Sequence, residues 1–163
     1  MANFFHESVS IGELTDIEIS SRGTHTYIGK NSRVDNFVKI KHVGGEGDIE
    51  IGENVFLNSG TVLYSGNGIR IGSDVLIGPN CSIVPVNHNF TDIHRPIREQ
   101  HFLASKGGII IEDDVWIGAG VTILDGSLIR KGCVIGANSL VKGELLSYGI
   151  YAGNPLILIR MRQ

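Results

Sequence analysis

The chain holds six histidines, the side chains best suited to moving a proton at neutral pH, because imidazole has an unperturbed pKa of about 6.5. Three of them, His88, His94 and His101, fall in one stretch with Arg95, Arg98 and Lys106. One imidazole there can act as a general base, drawing the proton from a hydroxyl so that its oxygen attacks an electrophile. Three neutral imidazoles can instead hold zinc with an open position for water, which would make a hydratase. The separations of six and seven residues, however, crowd all three into one segment. A third reading is a solvated loop with no chemistry. Trp116, the only tryptophan, offers a flat indole as the floor of a site or as core packing. Cys81 and Cys133 offer thiols, but their places in the pattern described next favour filling a core.

The elements that must position these residues show most clearly from Ile111 to Leu146, read in sixes as IEDDVW IGAGVT ILDGSL IRKGCV IGANSL VKGELL. An aliphatic residue opens every group: Ile111, Ile117, Ile123, Ile129, Ile135 and Val141. This is neither the helical period near 3.6 nor the alternation of an ordinary strand. The fourth place is usually Gly, Asn or Asp, residues that tolerate positive φ and suit a sharp corner. The fifth place is usually small or β-branched, and both cysteines stand there. The same beat runs from Ile28 through Val34, Ile40, Ile51, Leu57, Leu63, Ile71, Ile77 and Ile83, with the fourth place failing only at Phe37, Val43, Val86 and Glu144. Slips fall in the Gly-rich segments Val43–Gly47 and Ser65–Gly68. Short strand, corner, short strand at a fixed period means an all-β solenoid, a single-stranded parallel β-helix.

One interruption is longer. Between Ile83 and Ile111 the beat disappears and then resumes in register, so a long excursion loop inside a regular solenoid points to function. The organisation expected is a single β-helix domain over 1–163, with an N-terminal cap or first coil over 1–27, where Val9 to Ile19 covers the open end of the stack. The active-site loop spans 84–108 and a C-terminal closure spans 147–163. A formal charge of −3 gives no basic footprint for nucleic acid. No apolar run approaches the about 20 residues of a membrane span, and Met1–Ser10 carries no signal pattern. A soluble, cytoplasmic protein is expected.

The hexapeptides, the VNHNF segment (Val86–Phe90), Val115-Trp116-Ile117-Gly118 and YAGNP at Tyr151–Pro155 resemble the hexapeptide-repeat acyltransferases. Within these, the chain looks most like the galactoside/maltose O-acetyltransferase branch and its relatives in bacterial surface-polysaccharide synthesis. The resemblance covers the chain from about Ile28 onward; the helical segment that opens the sugar acetyltransferases has no counterpart in Met1–Tyr27. It implies a left-handed β-helix of triangular section, a homotrimer with active sites between subunits, and acetyl-CoA as co-substrate with no metal. The left hand comes from the resemblance alone, since crossover connections are normally right-handed.

Residue by residue, the resemblance places the catalytic base at His88, reached from Ile77-Gly78-Pro79-Asn80 without a gap. It matches Asn58 to an acceptor contact, and Ala119, Ala137, Lys142 and Arg160 to coenzyme A. Small residues at Ala119 and Ala137 would let a pantetheine arm lie along the coils, while Lys142 and Arg160 would neutralise phosphates. The chain departs from the pattern where Leu156-Ile157-Leu158 precede Arg160. Trp116 would aim its N–H at the acceptor, and His94 and His101 are expected to be structural or to shape the acceptor site. The function expected is acetyl-CoA-dependent O-acetylation of a sugar or polysaccharide precursor. N-acetylation of an amino sugar is the near alternative, since the same base and donor serve. A γ-carbonic-anhydrase-like zinc hydratase and a non-catalytic scaffold are the more distant ones.

Overall fold

In the fixed six-residue beat, two or three residues at a time are extended and then the chain turns. The computed structural model, which describes residues 2–163, forms a left-handed parallel β-helix from such pieces. The first coil is β1 (Phe4–Phe5), β2 (Ser10–Ile11) and β3 (Asp16–Ile17), followed by β4 (Thr26–Ile28), β5 (Arg33–Val34) and β6 (Lys39–Lys41). Next come β7 (Ile49–Ile51), β8 (Phe56–Leu57) and β9 (Val62–Tyr64), then β10 (Ile69–Ile71), β11 (Leu76–Ile77) and β12 (Ser82–Val84). After the excursion follow β13 (Ile109–Ile111), β14 (Trp116–Ile117) and β15 (Thr122–Leu124), then β16 (Ser127–Ile129), β17 (Val134–Ile135) and β18 (Leu140–Val141). The last elements are β19 (Glu144–Leu145), β20 (Gly149–Ala152) and β21 (Ile157–Met161).

Every third strand stacks on the same face. The first face is β1-β4-β7-β10-β13-β16-β19, the second β2-β5-β8-β11-β14-β17-β20-β21, and the third β3-β6-β9-β12-β15-β18. All pairings are parallel except β20 with β21, which turns back antiparallel. The inward residues stand in columns: Ile28, Ile51, Ile71, Ile111 and Ile129 on the first face are all in register and buried. Burying one such side chain contributes about 1.5–3 kcal/mol. Ile49, Ile69 and Ile109 form a second buried column that the six-residue count passes over. In the first coil, Val9 and Ile17 pack partly on the core, whereas Phe4, Phe5 and Ile11 remain exposed.

The corner chemistry explains the irregular fourth places. Asn31, Asn54, Asp74, Asn80, Asp114 and Asn138 all have φ between 55° and 59°. Phe37 takes φ 63° despite its bulk, so the stacking imposes the corner even on an unfavourable residue. At Val43 and Glu144 the positive φ falls on the neighbouring glycines instead, Gly44 (77°) and Gly143 (82°).

The insertions share one location. The segments after β6, β9 and β12 all leave the third face and re-enter on the first, so every slip lies along a single edge of the prism. There the glycines permit close stacking: a Cβ on Gly45 would lie 2.2 Å from the Gly66 carbonyl oxygen, and one on Gly44 would lie 2.7 Å from Val86. The short loops thus form a pedestal beneath Pro85 and Val86, where the long excursion begins.

Cys81 and Cys133 are fully buried, and burial pushes both thiols up from their ordinary value. His42 is also buried on the insertion edge, Nδ1 2.8 Å from Thr24 Oγ1 and Nε2 3.1 Å from Thr26 Oγ1. Desolvation lowers its pKa below 6.5; nearby Glu18 and Asp48 oppose the shift and His25 assists it. No helix among the described residues is long and apolar enough to cross a membrane.

Two predictions follow from these burials. Ellman's reagent should label neither thiol of the folded protein and both on denaturation; rapid labelling without unfolding would contradict the core placement. The folded state resists protonating His42 while the unfolded chain accepts a proton near pH 6.5, so stability should fall as pH drops below that value. Denaturant titrations at pH 7.5 and 5.5 should show this loss reduced in His42→Gln. Parallel profiles for the two proteins would assign the acid limb to other groups.

Candidate active site

The excursion, residues 85–108, is an arm with its own hydrogen-bonded frame. Its outgoing and returning legs pair through Asn89 N–H to His101 O (2.9 Å) and Leu103 N–H to Asn87 O (2.8 Å), leaving His88 opposite Phe102. The tip is pinned by Gln100, a buried amide. Its Oε1 accepts from Asp92 N–H (3.0 Å), and its Nε2 donates to the carbonyls of Asp92 and Arg95, 2.8 Å each. A short 3₁₀ turn, Ile97–Glu99, leads into it. At the root, the carboxylate of Asp125, in the corner after β15, holds the backbone of Lys106 and Gly108. The loss of sequence period therefore reflects side-chain bonding in place of strand pairing.

His88 is exposed, its ring 4.8 Å from that of Phe102 and tilted by 35°. Among the described residues neither ring nitrogen meets a hydrogen-bond partner, so both are available to a substrate. The ring faces a groove of about 370 Å³ that also takes in Asn87, Lys106, Asp125 and Lys142. His94 and His101 are exposed elsewhere on the arm; His94 N–H bonds to Asp92, and His101 has φ 60°. Among the described residues no group of three or more His, Cys, Asp and Glu side chains is placed to hold a metal ion.

The other candidate residues stand apart from this groove. Asn58, Ala119 and Ala137 lie on the edge between the second and third faces, following β8, β14 and β17. Side chains nearly vanish along that edge: a Cβ on Gly78 would lie 2.7 Å from Ala119 N, and one on Gly118 would lie 2.7 Å from Ala137 N. The result is a bare track suited to a slender chain. At its far end Ser59 donates to Asp35 Oδ2 (3.0 Å). The Asn36 amide, the Ser59 hydroxyl and Arg33 hold the Asp35 carboxyl below its ordinary value. Trp116 is 55% exposed on the second face, between Leu76 and Val134, and so is not core packing. Arg160 lies exposed on β21, away from the groove of His88.

One chain thus gathers its candidates in two places, His88 with Lys142 on one edge and Asn58 with Ala119 and Ala137 on another. Sequence reasoning passed over Asp35, Gln100 and Asp125. Asp125 left one trace, a carboxylate at a third place of the repeat in the group ILDGSL.

With this geometry in hand, the comparisons with known proteins are informative. The family model for the bacterial transferase hexapeptide (six repeats) matches residues 108–143. A probable acetyltransferase of Mycobacterium tuberculosis is 35% identical over 118 residues, 72% of this chain and 39% of that protein. The galactoside O-acetyltransferase of Escherichia coli is 31% identical over 133 residues, 82% of this chain and 62% of its own length. The chain therefore spans less than two thirds of either relative. Among solved structures, AntD, an N-acyltransferase from Bacillus cereus, superposes with a TM-score of 0.81 at 26% identity. The match covers 99% of this chain and 84% of AntD, in a complex with dTDP-4-amino-4,6-dideoxyglucose and coenzyme A.

Proposed function

We infer, from the chain's membership of the hexapeptide-repeat acyltransferases, that it transfers an acetyl group from acetyl-CoA to a hydroxyl of a sugar or polysaccharide precursor, with His88 as general base. The observation that carries this reading is the framed arm that presents an exposed imidazole, free at both nitrogens, over a groove with Lys142. His88 takes the proton as the acceptor oxygen attacks the thioester carbonyl. The same imidazolium then returns that proton to the departing thiolate, so the base is regenerated. General-base assistance of this kind contributes about 10²–10⁴ in rate, equivalent to about 3–5.5 kcal/mol of barrier.

The bare track at Ala119 and Ala137 fits the pantetheine arm, Asn58 and the exposed indole of Trp116 fit the acceptor, and Lys142 and Arg160 supply positive charge for phosphates. Because the track and the arm occupy different edges, a complete site requires a second copy that sets its track against the first copy's arm. Closed three-fold symmetry satisfies all such sites at once, so the working form is a homotrimer. The donor places the reaction in the cytoplasm.

A second reading is N-acylation of an amino sugar. It is favoured by the extent of the superposition on AntD, whose complex holds an amino sugar nucleotide. The same base would serve an amine.

His88→Ala should cut acetyl-CoA-dependent thiol release at least about a hundredfold while circular dichroism and sedimentation stay unchanged. Near-normal turnover would remove the proposed mechanism. Parallel assays with hydroxyl and amino sugar acceptors separate the two readings. Turnover should also survive EDTA; loss on chelation with recovery on zinc would favour the hydratase.

A further inference from the structure

The arm must leave the third face and return to the first at one angle, or β13 would miss its register on β10. Its root is where that angle is set. Asp125 is only 6% exposed, and all its hydrogen bonds run to the arm. Oδ2 accepts from Lys106 N–H (2.7 Å), while Oδ1 accepts from Gly108 N–H (3.0 Å) and the Ser105 hydroxyl (3.2 Å). The next residue completes the clamp, Gly126 N–H donating to Gly108 O (2.7 Å). Gly107 and Gly108 have φ of 113° and 80°, values open to glycine and costly for other residues, so the backbone here needs an external hold. Asp125 also lines the groove that His88 faces.

We propose that Asp125 is a positioning residue for acyl transfer: its buried carboxylate fixes the swing of the arm and thereby the place of the His88 imidazole. The proposal rests on the reading of His88 as the base. The link runs through the returning leg, since Ser105 and Lys106 lie only a few residues from Phe102 and Leu103, which pair with the His88 segment. A carboxylate suits the task because both oxygens accept. An isosteric amide would turn an N–H toward a backbone N–H and release one side of the clamp. Released, the arm keeps its internal frame, because the Asn89–His101 and Gln100 bonds do not involve Asp125. The imidazole is then displaced as part of a rigid piece.

The test is a double-mutant cycle with hydrogen exchange, on the full chain. Asp125→Asn should lower kcat about tenfold to a hundredfold, the range expected when a catalytic group shifts by about 1 Å. KM for acetyl-CoA should move less than about twofold, since that interaction is formed elsewhere. Amides at the arm's root, Lys106 and Gly108, should exchange faster, while Gly118 on the opposite edge should not. In a His88→Ala background the substitution should cause no further fall, because an effect routed through the imidazole vanishes with it. Equal falls in both backgrounds, an unchanged kcat, or unchanged exchange at the root would overturn the proposal. Should Asp125→Asn not fold, Ser105→Ala removes one contact and should show the same pattern at smaller amplitude; normal turnover in that variant would then overturn it. A near-normal His88→Ala enzyme sinks the base assignment first, and the exchange data still report separately whether Asp125 holds the root.

Discussion

Each coil leaves its backbone groups open above and below until another coil is laid on it in register. Gly52 N–H reaches Ile71 O at 2.8 Å and Gly72 N–H reaches Ile111 O at 2.7 Å, and the same bonding recurs along the stack. A residue out of step would carry its aliphatic side chain off the inward column and its amide off its carbonyl. The chain must therefore return to the same place after every turn. That requirement explains why Phe37 accepts a positive φ and why the turn moves to Gly44 and Gly143 where the fourth place is unsuitable.

The same requirement decides where extra residues can go. They cannot widen a strand without breaking the columns, so they are expelled at a corner. Here they use one edge, and the glycines of the two short insertions let backbones stack close beneath Pro85 and Val86. The long arm is tolerated because its polar groups are satisfied internally. Gln100 pins the tip and Asp125 the root, which keeps a non-repeating segment from becoming a disordered one. A stiff prism with one braced projection holds an exposed imidazole where neither a strand nor a loose loop could.

The division of candidate residues between two edges has a geometric cause. A repeat with three corners per coil sends residues at equivalent places to the same edge, so Asn58, Ala119 and Ala137 align because their places in the repeat correspond. His88 escapes that rule because it belongs to the arm. The separation makes association part of the proposed chemistry, and the exposed row of Leu76 and Trp116 on the second face is apolar surface beside the track.

The sequence alone determined the solenoid. Its period, its corner residues and its inward aliphatic places are local quantities, and each repeat states them again. The positions of the insertions and the identity of the histidine-bearing excursion were legible for the same reason, as departures from a known beat. The resemblance to a family supplied the left hand and the roles assigned to single residues. What only the tertiary structure decided depends on distances between coils. Gln100 and Asp125 matter because of backbone amides that folding brings to them, and no spacing in the chain announces such contacts. Trp116 was ambiguous between core and surface until its strand took a place on the second face with the indole outward. Whether Lys142 shares a groove with His88, while Arg160 does not, depends on which edge each corner occupies. A one-dimensional period can state that a corner exists, but only the stacked coils decide what stands beside it.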